Sequence, residues 1–544
     1  MKATESIVID GYDLLAENSR LAFEDHVVGG FTLNRGTAKV SPEGTPHADY
    51  EEVMQEHARQ IMPNTLSHGL SPVIDLSCPV AGMFVQSPAG VYLDLYQGVA
   101  QKLVDEHHPV FQQTVKSLVD NGLVFRREIN TGNFEVFGKP IEHLHTPQEV
   151  ASLVNGLVAD AFPGKGAFQT IFSNSGAEAG EAAIKLAMLH RYRAFLARYG
   201  EDVLARVMAD LGIERDTFYD DDGSMPDPVY RDYPFFIFGC ENAFHGRTLG
   251  VLNLTRSKKA QHVGFGKLRW ARHVAFNGDK HALAALLDTR PITEILDAPG
   301  GVAAVVAEGK VPADLAACFL TEVYQGEGGY RIVDKTWLRG IADTCKAHDI
   351  LLAIDEVQSF GRTGRLFATE HTGVEPDMIW LAKAAVLGMT VVRADLAEDC
   401  HVGWHSNTFG SGKLFDVNMA HATFRLMTDY RDELFEGRSL LENSRIKGEY
   451  VRMKLAELSA RYADLFPDFS GLGGMWGLTV RHRAEIISTG WKMGLKLLGC
   501  GAPGEETSRL RILLLADVLT REIDAMVEVL DRVFAAVEAN HPDE

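Results

Sequence analysis

The sequence predicts an α/β protein, with a large, mostly parallel sheet flanked by helices and a smaller α+β unit beside it. Three observations predict this. Between about residues 150 and 400 the chain repeats strand, loop and helix signals; its strand-like runs are apolar on both faces; and beyond about residue 411 it changes to long helices with a few strand signals. The two-sided runs are Phe168–Phe172, Phe235–Phe238, Ala303–Ala307, Ala317–Leu320 and Ile350–Ile354. After Gly176, residues Ala182, Leu186, Leu189 and Leu196 line one stripe of an amphipathic helix. The acidic, turn-rich stretch 200–232 reads as a surface excursion between two strands. In the last part, 411–465 reads as helical, Gly477–Val480 and Arg509–Leu515 as strands, and about Thr520–Ala539 as a final helix. Residues 1–71 are polar and weakly periodic and read as an extension on the main body. Val91–Leu95 alternates like a half-buried strand after the turn Ser87–Gly90.

Composition bounds the function. The chain has 544 residues, 53 basic and 74 acidic, for a net charge of −21. That length supports two or three domains, and an acidic surface repels phosphate backbones, so nucleic acid is not expected as a partner. No stretch is apolar over the roughly 20 residues a membrane helix needs, so no membrane is expected either. The N-terminus lacks an apolar signal core, and the six cysteines show no CxxC spacing. The expectation is a cytoplasmic protein with no metal site. His143-Leu-His145 has no third ligand nearby in sequence, and Asp220-Asp-Asp222 lacks calcium-loop spacing.

Three motifs carry chemistry. In Ser173-Asn-Ser-Gly-Ala-Glu-Ala-Gly-Glu181 a strand ends, small residues turn and a helix starts, which turns bare amides and a positive dipole end toward one point. A plain strand-to-helix turn would give the same residues. Gly410-Ser-Gly-Lys413 and Gly471-Leu-Gly-Gly474 do not complete a P-loop or a dinucleotide loop. In Leu351-Leu-Ala-Ile-Asp-Glu-Val-Gln358 an apolar strand delivers Asp355 at its carboxyl end, placed to hold a protonated heteroaromatic nitrogen or to cap the next helix. In Trp380-Leu-Ala-Lys-Ala384 an apolar run precedes Lys383; desolvation there lowers an amine's pKa and lets it condense with a carbonyl. Together these handles match the phosphate, ring nitrogen and aldehyde of pyridoxal 5'-phosphate.

The chain resembles the class III aminotransferases of fold type I, the ornithine, acetylornithine and 4-aminobutyrate group. The motifs that carry the resemblance follow in the family's order: Asn174–Ala179, Phe244-His-Gly-Arg-Thr-Leu-Gly250, Gln325-Gly-Glu-Gly-Gly329, Asp355-Glu-Val-Gln358, Gly361-Arg-Thr-Gly364, Leu381-Ala-Lys383 and Thr408-Phe-Gly410. The resemblance implies a seven-stranded sheet in a large domain over 126–410, with 72–125 and 411–544 forming the small domain. It implies pyridoxal 5'-phosphate as cofactor, an internal aldimine on Lys383, Asp355 on the pyridinium nitrogen and Gln358 on the phenolic oxygen. Phe244 and Val357 would take the two ring faces. Ser175, Gly176 and Ala177 would bind the phosphate with Thr408 of the partner subunit, which makes the active site composite and the protein a homodimer.

For substrate, the resemblance implies Arg247 on a distal carboxylate, Arg511 on the α-carboxylate and Glu327 covering Arg511 when an ω-amine donor binds. The implied activity is ping-pong transfer of an (ω-)amino group from an amino acid or diamine to a keto acid such as 2-oxoglutarate. An aminomutase or racemase on the same fold, or a non-catalytic relative, is the alternative. The chain departs from the family pattern at Val386-Leu-Gly-Met389, where a Gly-rich loop is expected, at Val323, and at Leu514-Leu515, where two prolines are usual.

Overall fold

Seven strands form the central sheet: β1 (Phe168–Ser173), β2 (Phe236–Cys240), β3 (Ala271–Val274), β4 (Ala316–Glu322), β5 (Leu351–Asp355), β6 (Met378–Leu381) and β7 (Gly388–Arg393), in the spatial order β1-β7-β6-β5-β4-β2-β3. The computed structural model describes residues 6–17, 23–28, 30–42, 79–87, 90–126, 135–136, 139–214, 232–266, 268–398, 413–501 and 509–542. Four neighbouring pairs are parallel, and β7 alone runs against both its neighbours. The reason is the connection: Ala382–Leu387 is far too short for the crossover a parallel return needs. Every residue of β4, β5 and β6 is buried, as runs apolar on both faces require.

Helix α1 (Gly176–Asp210) follows β1 directly. It corrects one expectation. Residues 200–210, read as the start of an excursion, are helix instead: the helix breaks at Gly200 (φ +78°) and continues with Leu204, Val207 and Met208 buried. Asp220–Asp222 lie outside the described residues. A second correction concerns Ala303–Ala307, which is not a strand but the body of helix α2 (Gly301–Ala307). A short apolar run does not by itself distinguish strand from buried helix. Here the alanines favour helix, Val302 and Val305 bury one face, and Asp210 accepts the Val302 amide (2.5 Å) near the helix start.

Beyond the large sheet come helices α3 (Leu414–Thr428) and α4 (Leu440–Arg461), then β8 (Asp468–Leu472), β9 (Met475–Thr479), β10 (Leu498–Cys500) and β11 (Arg509–Leu513). These four strands form an antiparallel sheet in the order β8-β9-β11-β10. Helix α5 (Thr520–Asn540) ends the described chain. The N-terminal part joins this region through sheet pairing: Leu93 and Asp94 lie parallel to Leu495 and Lys496, and Ser41–Pro42 pairs with Gly90–Val91. Arg362, from Gly361-Arg-Thr-Gly364, is 1% exposed and ties several segments together. Its guanidinium donates to Ala100 and Leu514 carbonyls, and its own carbonyl accepts Ser444 and Gly474.

The described part of the N-terminal extension is pinned by charge rather than by apolar area alone. Buried Arg35 donates to Asp517 (2.7 Å) and to both oxygens of Glu522 (2.9 and 3.0 Å). Buried Glu17 accepts the Thr520 amide (2.8 Å), the Tyr12 hydroxyl (2.7 Å) and the Lys447 ammonium. Removing one member of such a cluster leaves carboxylates dry and uncompensated, which costs about 3–5 kcal/mol. Arg35→Met is therefore expected to lower the denaturation midpoint by that equivalent, as read by chemical unfolding; an unchanged midpoint would contradict the anchoring role.

Candidate active site

Strands of one sheet that end at the same edge bring their following loops together. Here the loops after β1, β2, β4, β5 and β6 line a cavity of about 430 Å³. β1 leads into Ser175, which caps α1 by accepting the Glu178 amide (3.3 Å). Gly176 and Ala177 occupy the first helical positions, whose amides have no acceptor within a helix; both residues line the cavity. β2 leads to Phe244, His245 and Gly246; β4 to Glu322 and Glu327; β5 to Asp355, Val357 and Gln358; β6 to Lys383.

Charge in this cavity is held by partners. Asp355 Oδ2 lies 2.8 Å from His245 Nδ1, and Oδ1 accepts the Val357 amide at 2.9 Å. A carboxylate only accepts, so the pair places the imidazole hydrogen on Nδ1. Glu322 accepts the Phe244 and Gly326 amides, each at 3.0 Å, while burial pushes its carboxyl up to about 7. Burial also pulls the Lys383 ammonium down to about 8, against the opposing pull of Glu327. Glu327 bridges two cations, Arg511 Nη1 at 2.7 Å and Lys258 Nζ at 3.1 Å. Burial alone would raise its carboxyl, but Arg511 and Lys258 outweigh that and hold it at about 2. Gln358 Oε1 is buried without a partner. Its side chain lies against Gly326: a Cβ there would stand 1.7 Å from that oxygen, so any larger residue would displace the Gln358 amide.

The backbone around Lys383 is unusual. Lys383 itself has φ +49°, and Val386 has φ +67° and ψ −53°, with the Leu387 amide donating to the Ala385 carbonyl at 2.8 Å. That is a γ-turn centred on a β-branched residue, a strained arrangement. It falls where the sequence departs from a Gly-rich loop.

The structure thus gathers Lys383, Asp355, Ser175, Gly176, Ala177, Phe244, Val357, Gln358 and Glu327 in one wall. Arg511 joins through Glu327, buried on β11. Arg247 is not in that wall; it is exposed, its guanidinium 5.9 Å from the Phe244 ring centre. Thr408 lies outside the described residues. Sequence reasoning missed His245, Glu322 and Lys258. His245 sits inside the Phe244 motif, but its pairing with Asp355 spans 110 positions and leaves no local signal.

The residues suit a cofactor with an anionic group, an acceptor-seeking ring nitrogen and an aldehyde: helix-start amides, a carboxylate, a glutamine whose buried oxygen has no partner and an amine of lowered basicity share one cavity. Elsewhere, His145 stacks on His421 at 3.4 Å. Among the described residues one group, His482, Glu485 and His541, brings three metal-ligand types within reach of one another. Its imidazoles lie face to face, 3.7 Å apart and 11° from parallel, so their in-plane lone pairs run side by side rather than converging. His541 Nε2 instead pairs with Glu485 at 2.8 Å.

The chain is similar to known proteins along most of its length. Residues 80–534 match the model of the family described as Aminotransferase class-III. The acetylornithine aminotransferase of Methanocaldococcus jannaschii is 28% identical over 452 residues, covering 82% of this chain and 89% of that protein. The Bacillus anthracis acetylornithine aminotransferase is 28% identical over 449 residues, 81% and 90% of the two chains. Among solved structures, the ornithine aminotransferase from Toxoplasma gondii ME49 superposes with a TM-score of 0.62 at 20% identity, covering 90% of this chain and 96% of that one. The lysine aminotransferase from M. tuberculosis gives 0.63 at 22% identity, covering 91% and 100%. The likeness to the solved structures is one of fold.

The strain at Val386 has a measurable consequence. Such a residue stores about 1–3 kcal/mol, against which a glycine there adds roughly 0.5–1 kcal/mol of unfolded-state entropy. Val386→Gly is expected to stabilise the cofactor-free protein by about 1 kcal/mol, seen as a raised Tm; a lowered Tm would show that the turn is not strained.

Proposed function

Because the chain belongs to the class-III aminotransferases, we propose that it moves a terminal (ω) amino group from an amino acid or diamine to 2-oxoglutarate. The reaction class itself is pyridoxal-phosphate-dependent transfer of an amino group to a keto acid. The observation that carries the finer reading is the Glu327–Arg511 pair beside the Lys383 cavity. A donor whose reacting carbon bears a terminal amine and no carboxylate leaves Arg511 without a partner, and Glu327 supplies one. A keto acid brings its own carboxylate, and an arginine–carboxylate fork favours it in Glu327's place.

In this reading Lys383 Nζ holds the cofactor's aldehyde between turnovers. Once free, Nζ would be the base that removes a proton from the substrate carbon and the acid that gives it back. Asp355, oriented by His245 and the Val357 amide, keeps the ring nitrogen protonated; the bound cofactor supplies the electron sink. Phe244 and Val357 confine the ring, and Gln358 meets its phenolic oxygen. Ser175, Gly176 and Ala177 hold the phosphate together with Thr408 of the partner subunit. Arg247, at the rim beside Phe244, reads the distal carboxylate of 2-oxoglutarate. The protein is a cytoplasmic homodimer in this account. Exposed Leu249, Val263, Phe265 and Leu268, on the segment after the Phe244 wall, support a covered surface there. No helix among the described residues is long and apolar enough to cross a membrane.

The test is nitrogen transfer. Donors labelled at the terminal nitrogen (lysine, ornithine, N-acetylornithine, 4-aminobutyrate, putrescine) are incubated with 2-oxoglutarate, and glutamate is analysed for the label. Label in glutamate from one of them is expected; product formed without any keto acid would point to an isomerase instead. Lys383→Ala is expected to lose at least about a thousandfold in kcat, in the range general acid–base catalysis supplies, with circular dichroism unchanged. Full turnover in that variant would remove the assignment. Arg247→Ala is expected to raise the KM for 2-oxoglutarate about tenfold, the effect of losing one charge-assisted contact of about 1.4 kcal/mol. The KM for pyruvate should not move, and an equal rise for both would exclude a distal-carboxylate role. Finally, a lysine that loses its proton near pH 8 is a nucleophile above that pH. Capture of pyridoxal 5'-phosphate by cofactor-free protein should therefore accelerate as pH rises toward about 8 and level off beyond it. Acceleration continuing past pH 10 would contradict the lowered basicity.

A further inference from the structure

Glu327 is held from both sides. Its Oε1 meets Arg511, whose side chain is 3% exposed, and its Oε2 meets Lys258, whose side chain is 36% exposed. One cation would suffice to neutralise a structural carboxylate, so the second needs a reason. Lys258 does not reach Glu327 from a loose loop. Its segment is stitched to the Phe244 wall: Thr255 Oγ1 accepts the His245 amide and donates to the Gly246 carbonyl, both at 2.9 Å, and the Arg256 amide donates to the Ala243 carbonyl at 2.7 Å. Two residues on, the ammonium is delivered to the outer oxygen of Glu327.

We propose that Lys258 is a positioning residue for substrate alternation: it retains the Glu327 carboxylate when a substrate carboxylate takes Arg511. Moving Glu327 off Arg511 would leave a carboxylate unpaired in a largely dry place, which is costly. A second cation on the opposite oxygen removes most of that penalty, because the carboxylate can pivot about the Lys258 contact instead of losing both partners. Lys258 therefore lowers the barrier to the half-reaction that needs Arg511 free. It leaves the half-reaction with an ω-amine donor unchanged, since Glu327 stays on Arg511 throughout. The inference rests on the reading of Arg511 as the carboxylate site given above.

Each half-reaction is followed separately on the cofactor-loaded enzyme by stopped-flow absorbance, with the ω-amine donor found by nitrogen transfer and with 2-oxoglutarate. Lys258→Met is expected to raise the apparent KM for 2-oxoglutarate about tenfold, the scale of one lost ion-pair partner at a partly buried site. The donor half-reaction should stay within about twofold, and Lys258→Arg should restore the loss. In a Glu327→Ala background, Lys258→Met should add nothing, since the residue acts only through Glu327. No change in either half-reaction, equal loss in both, or an additive effect in the Glu327→Ala background would each overturn the proposal. The variant Arg511→Met separates its failure from failure of the underlying reading. If that variant still accepts 2-oxoglutarate normally, the carboxylate site is wrong; if it does not, and Lys258→Met is silent, only the role of Lys258 falls.

Discussion

An amine of lowered basicity, enclosed beside carboxylates that each have a partner, is the constraint on which the site depends. Desolvation makes Lys383 a usable nucleophile, yet the same dry surroundings would make Glu322, Glu327 and Asp355 costly if any stood alone. The fold meets this with paired charges and amides: Asp355 with His245, Glu327 with Arg511 and Lys258, Glu322 with two backbone N–H groups. None of these partners is adjacent in sequence to the group it serves. The site therefore exists only in the completed sheet, where loops after five strands arrive at one edge.

That arrangement explains features that otherwise look incidental. β7 runs antiparallel because the lysine loop before it is short, and the shortness keeps Lys383 against the sheet edge beside β1. The turn at Val386 carries strain in a place where glycine would carry none. Arg511 comes from the small antiparallel sheet rather than the large one, so it reaches Glu327 from a different sheet than the one that carries Asp355. The N-terminal part is bound to that unit by the buried ion pairs of Glu17 and Arg35 and by the pairing of Leu93 and Asp94 with Leu495 and Lys496.

Much of this was legible in the sequence, for reasons that differ by element. β4 and β5 were readable because burial on both faces demands an unbroken apolar run, and Asp355 and Lys383 stood out because each follows such a run at once. Ala303–Ala307 misled, since an apolar run of five residues fits a strand or a buried helix turn equally well. Gly200 and the acidic residues beyond it concealed a helix that continues on the strength of Leu204, Val207 and Met208. His245, Glu322 and Lys258 could not be found by pattern, because their meaning lies in contacts across 110, 78 and 69 positions. Arg247 was singled out by its motif and sits at the rim, outside the wall. The motif shows where a residue belongs in the chain and leaves its orientation open.

The central claim is that one buried lysine, with Asp355 as the partner of the cofactor's ring nitrogen, runs a reversible transfer between two substrates. The most direct measurement is the visible absorption of the purified, cofactor-loaded protein as an amine donor and then 2-oxoglutarate are added. The account predicts a yellow band that bleaches with the donor and returns with the keto acid, in stoichiometric amounts. A protein that binds the cofactor but whose band responds to no amine, or that bleaches and cannot be restored by any keto acid, would contradict it.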